Sequence, residues 1–202
     1  MQEIIQLDKD LFLFLNTQGT VAWDGFWKFL SERSYWIPLY ITLLYLLYRN
    51  FGLKKTSLIL GLTLLMVLFT DQITNLFKDG FARPRPCFTP EFEGIMRGVG
   101  CERRGRFGFT SAHASNHFGI ALLLGLIFKK QYKWMLAILL IWAAFISYSR
   151  IYLGVHFPLD VICGGLMGLL LGFGFFKLYQ FLIRKYEIYF SESSNSCSTG
   201  SL

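Results

Sequence analysis

The chain has 202 residues, a formal net charge of +7 and a hydrophobic content of 53%. Its length is that of one domain, but its mean hydropathy of +0.43 is too high for an ordinary soluble one. A basic protein can bind nucleic acid, yet here the basic residues lie in loops between membrane-length apolar runs. Anionic lipid or a phosphate substrate suits that distribution better, so we expect no nucleic-acid partner.

The first 33 residues contain two short apolar pieces, 11–15 and 26–30, separated by polar residues and Gly19. Neither piece is close to the about 20 apolar residues that cross a bilayer. The apolar residues of the second piece recur at helical spacing. Residues 1–33 are therefore predicted to form amphipathic helices that lie at the membrane interface.

Five longer apolar runs follow, and each predicts a transmembrane helix. They cover 35–48, 57–77, 114–128, 134–148 and 159–183. The predicted fold is all-α: an integral membrane helical bundle of about five transmembrane helices, plus the N-terminal interfacial helices. Residues 34–190 would form the transmembrane domain, and the Ser-rich segment 191–202 would be a disordered tail.

The basic turns between these runs predict the orientation of the bundle. Eight of their residues fall on one face: Arg49, Lys54, Lys55, Lys129, Lys130, Lys133, Arg184 and Lys185. The positive-inside tendency makes that face cytoplasmic, so the polar loop 79–110 on the opposite face is external. Cys87 and Cys101 share this loop and are a possible disulfide in an oxidising compartment, with two unpaired thiols as the alternative.

The stretch 149–160 carries the most informative polar residues, because it lies between two apolar runs. Arg150, His156 and Asp160 are costly to place there, and such residues are usually functional. A carboxylate four residues after a histidine can orient the imidazole and stabilise its cation. The arginine can bind phosphate through its planar guanidinium. We therefore predict that His156 attacks phosphorus.

Two further motifs fall on the same face of the bundle. At the end of the second run, Lys78 and Arg85 can neutralise phosphate oxygens, although a basic membrane anchor is the alternative. Ser111, Ala112 and His113 open the third run, where a helix N-terminus offers free N–H groups to a phosphate. In this motif His113 can protonate a leaving oxygen, but the motif by itself equally suits an ordinary N-cap.

Together these motifs read K-x6-R-P, S-x-H and S-R-x5-H-x3-D. They comprise Lys78, Arg85 and Pro86; Ser111 and His113; and Ser149, Arg150, His156 and Asp160. The chain thereby resembles the type 2 phosphatidic acid phosphatase superfamily, and its size is similar to the bacterial undecaprenyl-diphosphate phosphatase branch. The resemblance implies a metal-independent lipid phosphatase without a cofactor. Its substrate would be a lipid phosphate or diphosphate of the undecaprenyl diphosphate or phosphatidic acid type.

The resemblance also implies residue roles and a location. His156 would form a phosphohistidine, His113 would be the general acid and Asp160 would hold His156. Phosphate would be bound by Lys78, Arg85, Ser111, the N–H of Ala112 and Arg150. The family usually has Gly where this chain has Ala112, and a positive φ there would be disfavoured. The protein would lie in the bacterial inner membrane, with its active site facing the periplasm or exterior.

Several alternatives stay open from the sequence. His113, His117 and Asp160 could instead bind zinc. The chain could be a non-catalytic protein that binds anionic lipid, or a phosphotransferase or vanadium-dependent oxidant on the same scaffold. Asp71 could balance the cationic site or bond within the bundle, and the oligomeric state is undetermined. The loop arginines could contact a second phosphate or only solvent; these are Arg83, Arg97, Arg103, Arg104 and Arg106.

Overall fold

Helices supply nearly all the regular structure in the computed structural model, which describes residues 2–101 and 105–198 and side chains as far as residue 185. The α-helices are α1 Gln2–Thr17, α2 Val21–Ser31, α3 Ile37–Phe81, α4 Ala112–Phe128, α5 Met135–Tyr152 and α6 Pro158–Ser198. Short 3₁₀ turns occur at Arg33–Trp36, Pro86–Phe88 and Pro90–Phe92. Within the described ranges, β-pairing is limited to an isolated bridge between Pro84 and Phe107.

Helix α3 is broken at Gly52, and its two arms correspond to the first two predicted spans. Gly52 has a φ of +72° inside α3, a conformation that glycine adopts without the steric cost of a side chain. The break divides α3 into arms 37–51 and 53–81. Together with α4, α5 and α6 these arms make five apolar helical segments, which confirms the predicted all-α membrane bundle.

The length and composition of three helical stretches suffice to cross a membrane: Arg33–Phe81, Met135–Tyr152 and Pro158–Lys185. The apolar helix α4 is shorter, with 17 residues. It lies against α3, α5 and α6, and its Leu123 and Phe128 are fully buried. Large apolar side chains such as Leu64 and Leu170 are exposed on the outside of the bundle. A lipid-facing surface accounts for that exposure.

Helices α4 and α6 approach each other closely because α6 carries glycines at four-residue intervals. A Cβ atom at Gly164 would lie 2.5 Å from the backbone oxygen of Ser111, and one at Gly172 would lie 2.6 Å from that of Gly119. Small residues at this spacing allow helix backbones to meet in membranes. The contact brings the N-termini of both helices together, where the N–H of Ser111 donates to the Asp160 carbonyl at 3.0 Å.

Helix α1 packs against the end of the bundle that carries His156. Phe12 is fully buried, with its ring centroid 5.5 Å from that of Phe92 and 5.3 Å from that of Phe157. Asn16 is also fully buried, and its amide donates to the Tyr152 carbonyl at 2.9 Å. One face of α1 is therefore bound to protein. The interfacial placement of residues 1–33 stays a prediction.

Helix α6 extends beyond its apolar part, and the disordered tail 191–202 stays a prediction. Helix α6 continues through 191–198, while 199–202 lie outside the described residues. The chain has neither Gly nor Pro from 175 to 199, so nothing in its composition breaks the helix. A low apolar content predicts few packing contacts, but by itself it does not predict a helix end.

Candidate active site

The candidate nucleophile lies in the tight turn between α5 and α6. The backbone N–H of His156 donates to the Arg150 carbonyl at 3.3 Å, and 3% of the residue is exposed. Gly154 has a φ of +77° in this turn, and a Cβ atom there would lie 2.7 Å from the Arg97 carbonyl oxygen. The turn therefore requires glycine, both for its conformation and for its close approach to the polar loop.

Both ring nitrogens of His156 face charged side chains. Nδ1 lies 3.4 Å from Oδ2 of Asp160, and Nε2 lies 2.8 Å from Nη1 of Arg85. A guanidinium only donates hydrogen bonds, so the neutral ring accepts at Nε2 and carries its proton on Nδ1, toward the carboxylate. This tautomer places the lone pair on Nε2, the nitrogen that attacks phosphorus, and the hydrogen bond from Arg85 must move from Nε2 to a phosphoryl oxygen when the substrate binds.

The start of α6 fixes the position of Asp160. Its Oδ2 accepts a hydrogen bond from the backbone N–H of Phe157 at 3.0 Å. This is the return half of a capping box, in which the third helical residue bonds to the N–H of the N-cap residue. Pro158 occupies the first helical position, where its missing N–H costs nothing. The four-residue spacing of His156 and Asp160 therefore lets one carboxylate both cap the start of α6 and face the histidine.

The loop that follows α3 holds Arg85 in place. Its Nε donates to the Gly105 carbonyl at 2.8 Å, and its Nη1 donates to the Val155 carbonyl at 3.0 Å. Only 8% of the residue is exposed. Gly108 passes close by, since a Cβ atom there would lie 3.0 Å from Cγ of Arg85 and 3.2 Å from Oδ2 of Asp160.

Ser111 and Ala112 form the N-terminus of α4. Ser111 is the fully buried N-cap residue, and its hydroxyl accepts from the Ala114 N–H at 3.5 Å. Ala112 is the first helical residue. Among the described non-glycine residues, a positive φ occurs at Ala82 alone. The strain expected from Ala in place of Gly therefore does not arise.

Arg150 and His113 approach the site from α5 and α4. Arg150 is almost fully buried, and its Nη1 donates to the hydroxyl of Ser31 at the end of α2. His113 is half-buried and lies within electrostatic range of both Arg150 and His156. His117 follows one turn later, with its ring centroid 6.1 Å from that of His113. Its Nδ1 donates to the His113 carbonyl at 2.7 Å.

Lys78, the remaining cation of the motifs, lies in the last turn of α3. Lys78 donates to Oδ1 of Asn75 at 3.2 Å and lies within electrostatic range of Arg85. Arg33 also lies within electrostatic range of Lys78, His113 and His117. Sequence reasoning missed Arg33, although a basic residue directly before an apolar run on this face was a usable signal.

Arg83 makes contacts that the sequence did not predict. Its Nη1 donates to Oδ1 of Asp160 at 2.8 Å, and its Nη2 donates to Oδ2 of Asp8 in α1 at 2.6 Å. Its guanidinium carbon also lies 4.2 Å from the ring centroid of Phe157. Arg83 thus binds carboxylates, in place of the second phosphate that we considered.

The other loop arginines fall into separate environments. Arg97 donates from Nη2 to both carboxylate oxygens of Asp24 in α2, at 2.6 and 2.9 Å, so it joins the loop to that helix. Arg106 is exposed. Arg103 and Arg104 lie outside the described residues.

Two further alternatives are resolved by contacts inside the bundle. Asp71 accepts a hydrogen bond from the amide of Asn116 at 2.9 Å, so it bonds within the bundle. In the described part of the chain, no three His, Cys, Asp or Glu residues converge to hold a metal ion. The alternative zinc site at His113, His117 and Asp160 is therefore not formed.

A disulfide joins Cys87 to Cys101 in the polar loop, with 5.8 Å between their Cα atoms. The loop packs against the nucleophile's turn, because the N–H of Gly100 donates to the Leu153 carbonyl at 2.9 Å. The bridge therefore closes a loop that contacts the active-site turn directly.

Comparisons with known proteins show which family the chain resembles. The model of the PAP2 superfamily matches residues 54–184. The lipid A 4'-phosphatase of Porphyromonas gingivalis is 37% identical over 185 residues, which cover 90% of the chain and 76% of that relative. An undecaprenyl-diphosphatase of Sulfolobus acidocaldarius is 28% identical over 172 residues, covering 83% and 76%. The crystal structure of Aquifex aeolicus LpxE is similar with a TM-score of 0.65 and 26% identity, covering 85% of the chain and 95% of LpxE.

Proposed function

The chain belongs to the PAP2 superfamily and is a multi-pass membrane lipid phosphatase, and we propose that it releases phosphate from the sugar of a lipid A-type glycolipid. The observation that supports this chemistry is the ring of His156, which lies between Arg85 and Asp160. This arrangement favours the tautomer whose Nε2 can attack phosphorus. The substrate proposal is supported by the 37% identity to a lipid A 4'-phosphatase. Undecaprenyl diphosphate is the second candidate, supported by the weaker likeness to an undecaprenyl-diphosphatase.

The proposed reaction has two steps through His156. In the first, Nε2 attacks phosphorus in line, the bond from phosphorus to the lipid oxygen breaks, and His113 gives its proton to that oxygen. In the second, His113 takes a proton from water, whose oxygen attacks phosphorus. The nitrogen–phosphorus bond then breaks, and inorganic phosphate leaves. Asp160 stabilises the ring while it carries the phosphoryl group.

The phosphoryl oxygens need charge neutralisation, and the site offers it without a metal. Arg85 already donates to the nucleophilic nitrogen and is placed to donate to a phosphoryl group bound there. We assign the other phosphate contacts to Lys78, Arg150, the hydroxyl of Ser111 and the N–H of Ala112 at the N-terminus of α4. Groups fixed by burial before the reaction stabilise the transition state without further reorganisation.

The lipid must leave on the side opposite the nucleophile, because the attack is in line. We assign His113 to that side as the general acid, and His117 follows on the same face of α4. An apolar groove of about 330 Å³ between the arms of α3 and helix α4 begins at His117, Asn116 and Arg33. We assign the apolar chain of the leaving group to this groove. A second groove, lined by Arg83 and Phe157, lies on the nucleophile's side.

We also propose that the protein lies in the bacterial inner membrane with this site facing the periplasm. The Cys87–Cys101 bridge beside the site supports that orientation, because disulfides persist in oxidising compartments. The basic turns at the opposite ends of the helices support it as well. Residues 1–33 would lie at the outer interface and 34–190 would form the transmembrane phosphatase domain.

The test is release of inorganic phosphate by purified protein in detergent with excess EDTA. Lipid A, undecaprenyl diphosphate and phosphatidic acid are compared, with the wild type beside His156→Ala. We expect EDTA-resistant release, fastest from lipid A and absent in the variant. Release that survives His156→Ala contradicts the nucleophile, and release that EDTA abolishes contradicts the metal-free mechanism. Absence of release from all three lipids leaves the non-catalytic alternative, whereas phosphate recovered on a second alcohol indicates a phosphotransferase.

A further inference from the structure

The N-terminal helix reaches the active site through one buried carboxylate. Asp8 of α1 is 6% exposed, and both of its oxygens are engaged. Oδ2 accepts from Nη2 of Arg83 at 2.6 Å, and Oδ1 accepts from the backbone N–H of Leu159 at 2.8 Å. Leu159 is the second residue of α6, where a backbone N–H has no partner within the helix. Asp8 therefore caps the helix that begins with the catalytic carboxylate.

Arg83 lies between two carboxylates and serves both. Its other nitrogen donates to Oδ1 of Asp160, whose Oδ2 faces His156. An unbroken series of contacts thus connects Asp8, Arg83, Asp160 and the nucleophile. Asp160 is fully buried and the side chain of Arg83 is 19% exposed, so water screens these charges weakly.

The balance of charge explains why two carboxylates are needed. His156 becomes cationic in character when it carries the phosphoryl group, and Asp160 must remain effectively anionic to stabilise it. Arg83 alone would neutralise Asp160 and cancel that effect. Asp8 shares the positive charge of Arg83, which leaves one excess negative charge on the three side chains.

We propose that Asp8 and Arg83 are positioning residues of the phosphatase, which hold Asp160 against His156 and preserve its negative charge. Helix α1 is then a component of the catalytic apparatus. This inference depends on the proposed role of His156 as the nucleophile. No direct contact with the substrate is required of either residue.

The test compares Asp8→Asn with the wild type in steady-state hydrolysis of one lipid phosphate in detergent. Asparagine keeps an oxygen that can accept from Leu159, so this attachment of α1 is preserved, while the charge and the acceptor for Arg83 are lost. We expect kcat to fall about 10- to 100-fold, as for other outer partners of a reactive histidine, with KM changed less than twofold. Asp8→Glu should restore part of kcat, because it returns the charge.

Lys9→Gln is the matched control, because Lys9 also joins α1 to the loop, through an ion pair of 2.7 Å with Glu91 that includes neither Arg83 nor Asp160. It should keep wild-type kcat. An equal loss of kcat in Lys9→Gln and Asp8→Asn would overturn the proposal, since attachment of α1 alone would then explain both. A kcat for Asp8→Asn within twofold of wild type would also overturn it.

A double-mutant cycle with Arg83→Gln tests whether Asp8 acts through Arg83. We expect the double variant to be no slower than Arg83→Gln alone, and multiplicative losses contradict the series of contacts. Should Asp8→Asn fail to yield folded protein, the comparison of Asp8→Glu with wild type decides. In that case a kcat lowered about tenfold or less with an unchanged KM supports the charge effect, and a larger loss of kcat or a raised KM refutes it. His156→Ala separates all of these results from failure of the proposed function, because that variant removes turnover regardless of α1.

Discussion

A close contact between α4 and α6 provides the sharpest test of how the fold positions the site. Gly168 of α6 faces the backbone oxygen of Ser115 in α4, at a distance that leaves no space for a Cβ atom. Gly168→Ala must therefore separate the two helices, because backbone cannot rotate away as a flexible side chain can. Added methyl groups in a packed core typically cost about 1–3 kcal/mol.

That cost has two measurable consequences. For a chain of this length, 1 kcal/mol shifts Tm by about 2–4 °C on the scale of soluble domains, so Gly168→Ala should lower Tm by about 2–12 °C. Separation of the helices also lengthens the hydrogen bond from the N–H of Ser111 to the carbonyl of Asp160. Asp160 lies one helical turn before Gly164. We therefore expect a lower kcat even below the unfolding temperature.

Gly174→Ala provides the control on the same helix, because a Cβ atom there would meet nothing within 4 Å. Alanine favours a helix over glycine by up to about 1 kcal/mol, so this variant should keep or slightly raise Tm. The assay is thermal unfolding of both purified variants in one detergent, followed by phosphate release at 20 °C below the lower Tm. Equal Tm values for the two variants would refute the argument from close packing.

Three further predictions concern the site itself. Asp160→Asn should lower kcat at least 100-fold with a normal Tm, because an amide cannot stabilise the charged ring; activity within tenfold of wild type would contradict this. Arg85→Lys should lower kcat/KM about 10- to 100-fold, since the lysine loses the planar contacts to Gly105 and His156, and an unchanged kcat/KM would argue against the arginine. Replacing Cys87 and Cys101 by serine should destabilise the protein by about 3 kcal/mol, because the bridge closes a loop of about 15 residues. Thermal unfolding with and without reductant checks this, and a wild-type response to reductant in the double variant would contradict it.

The parts of the site that sequence predicts are those set by local spacing. His156 and Asp160 are four residues apart, and the start of α6 turns that spacing into a facing pair. Ser111 is predictable for a similar reason, since a serine before an apolar run is a natural N-cap. The bundle itself follows from membrane-length apolar runs.

The parts that sequence does not predict depend on distant contacts or on one backbone angle. Asp8 lies 75 residues from Arg83 along the chain, and an aspartate on an amphipathic helix is ordinarily solvated. The break between the first two spans is confined to Gly52, which adopts a positive φ, where the sequence indicated only a short basic turn. The disordered tail 191–202 stays a prediction, because low apolar content limits packing without preventing helix formation.

Helix α1 also explains how a short turn can hold a nucleophile rigidly. Asp8, Phe12 and Asn16 are four residues apart and form the buried face of that helix. Asn16 donates to carbonyls at the C-terminus of α5, and Asp8 accepts from the N-terminus of α6. The helix therefore spans the turn that carries His156 and bonds to the backbone on both sides of it. A helix whose sole role was to anchor the chain to lipid would need an apolar face. Polar residues on that face would weaken its binding to the membrane. Their presence indicates that α1 is shaped by its contacts with the turn of the active site.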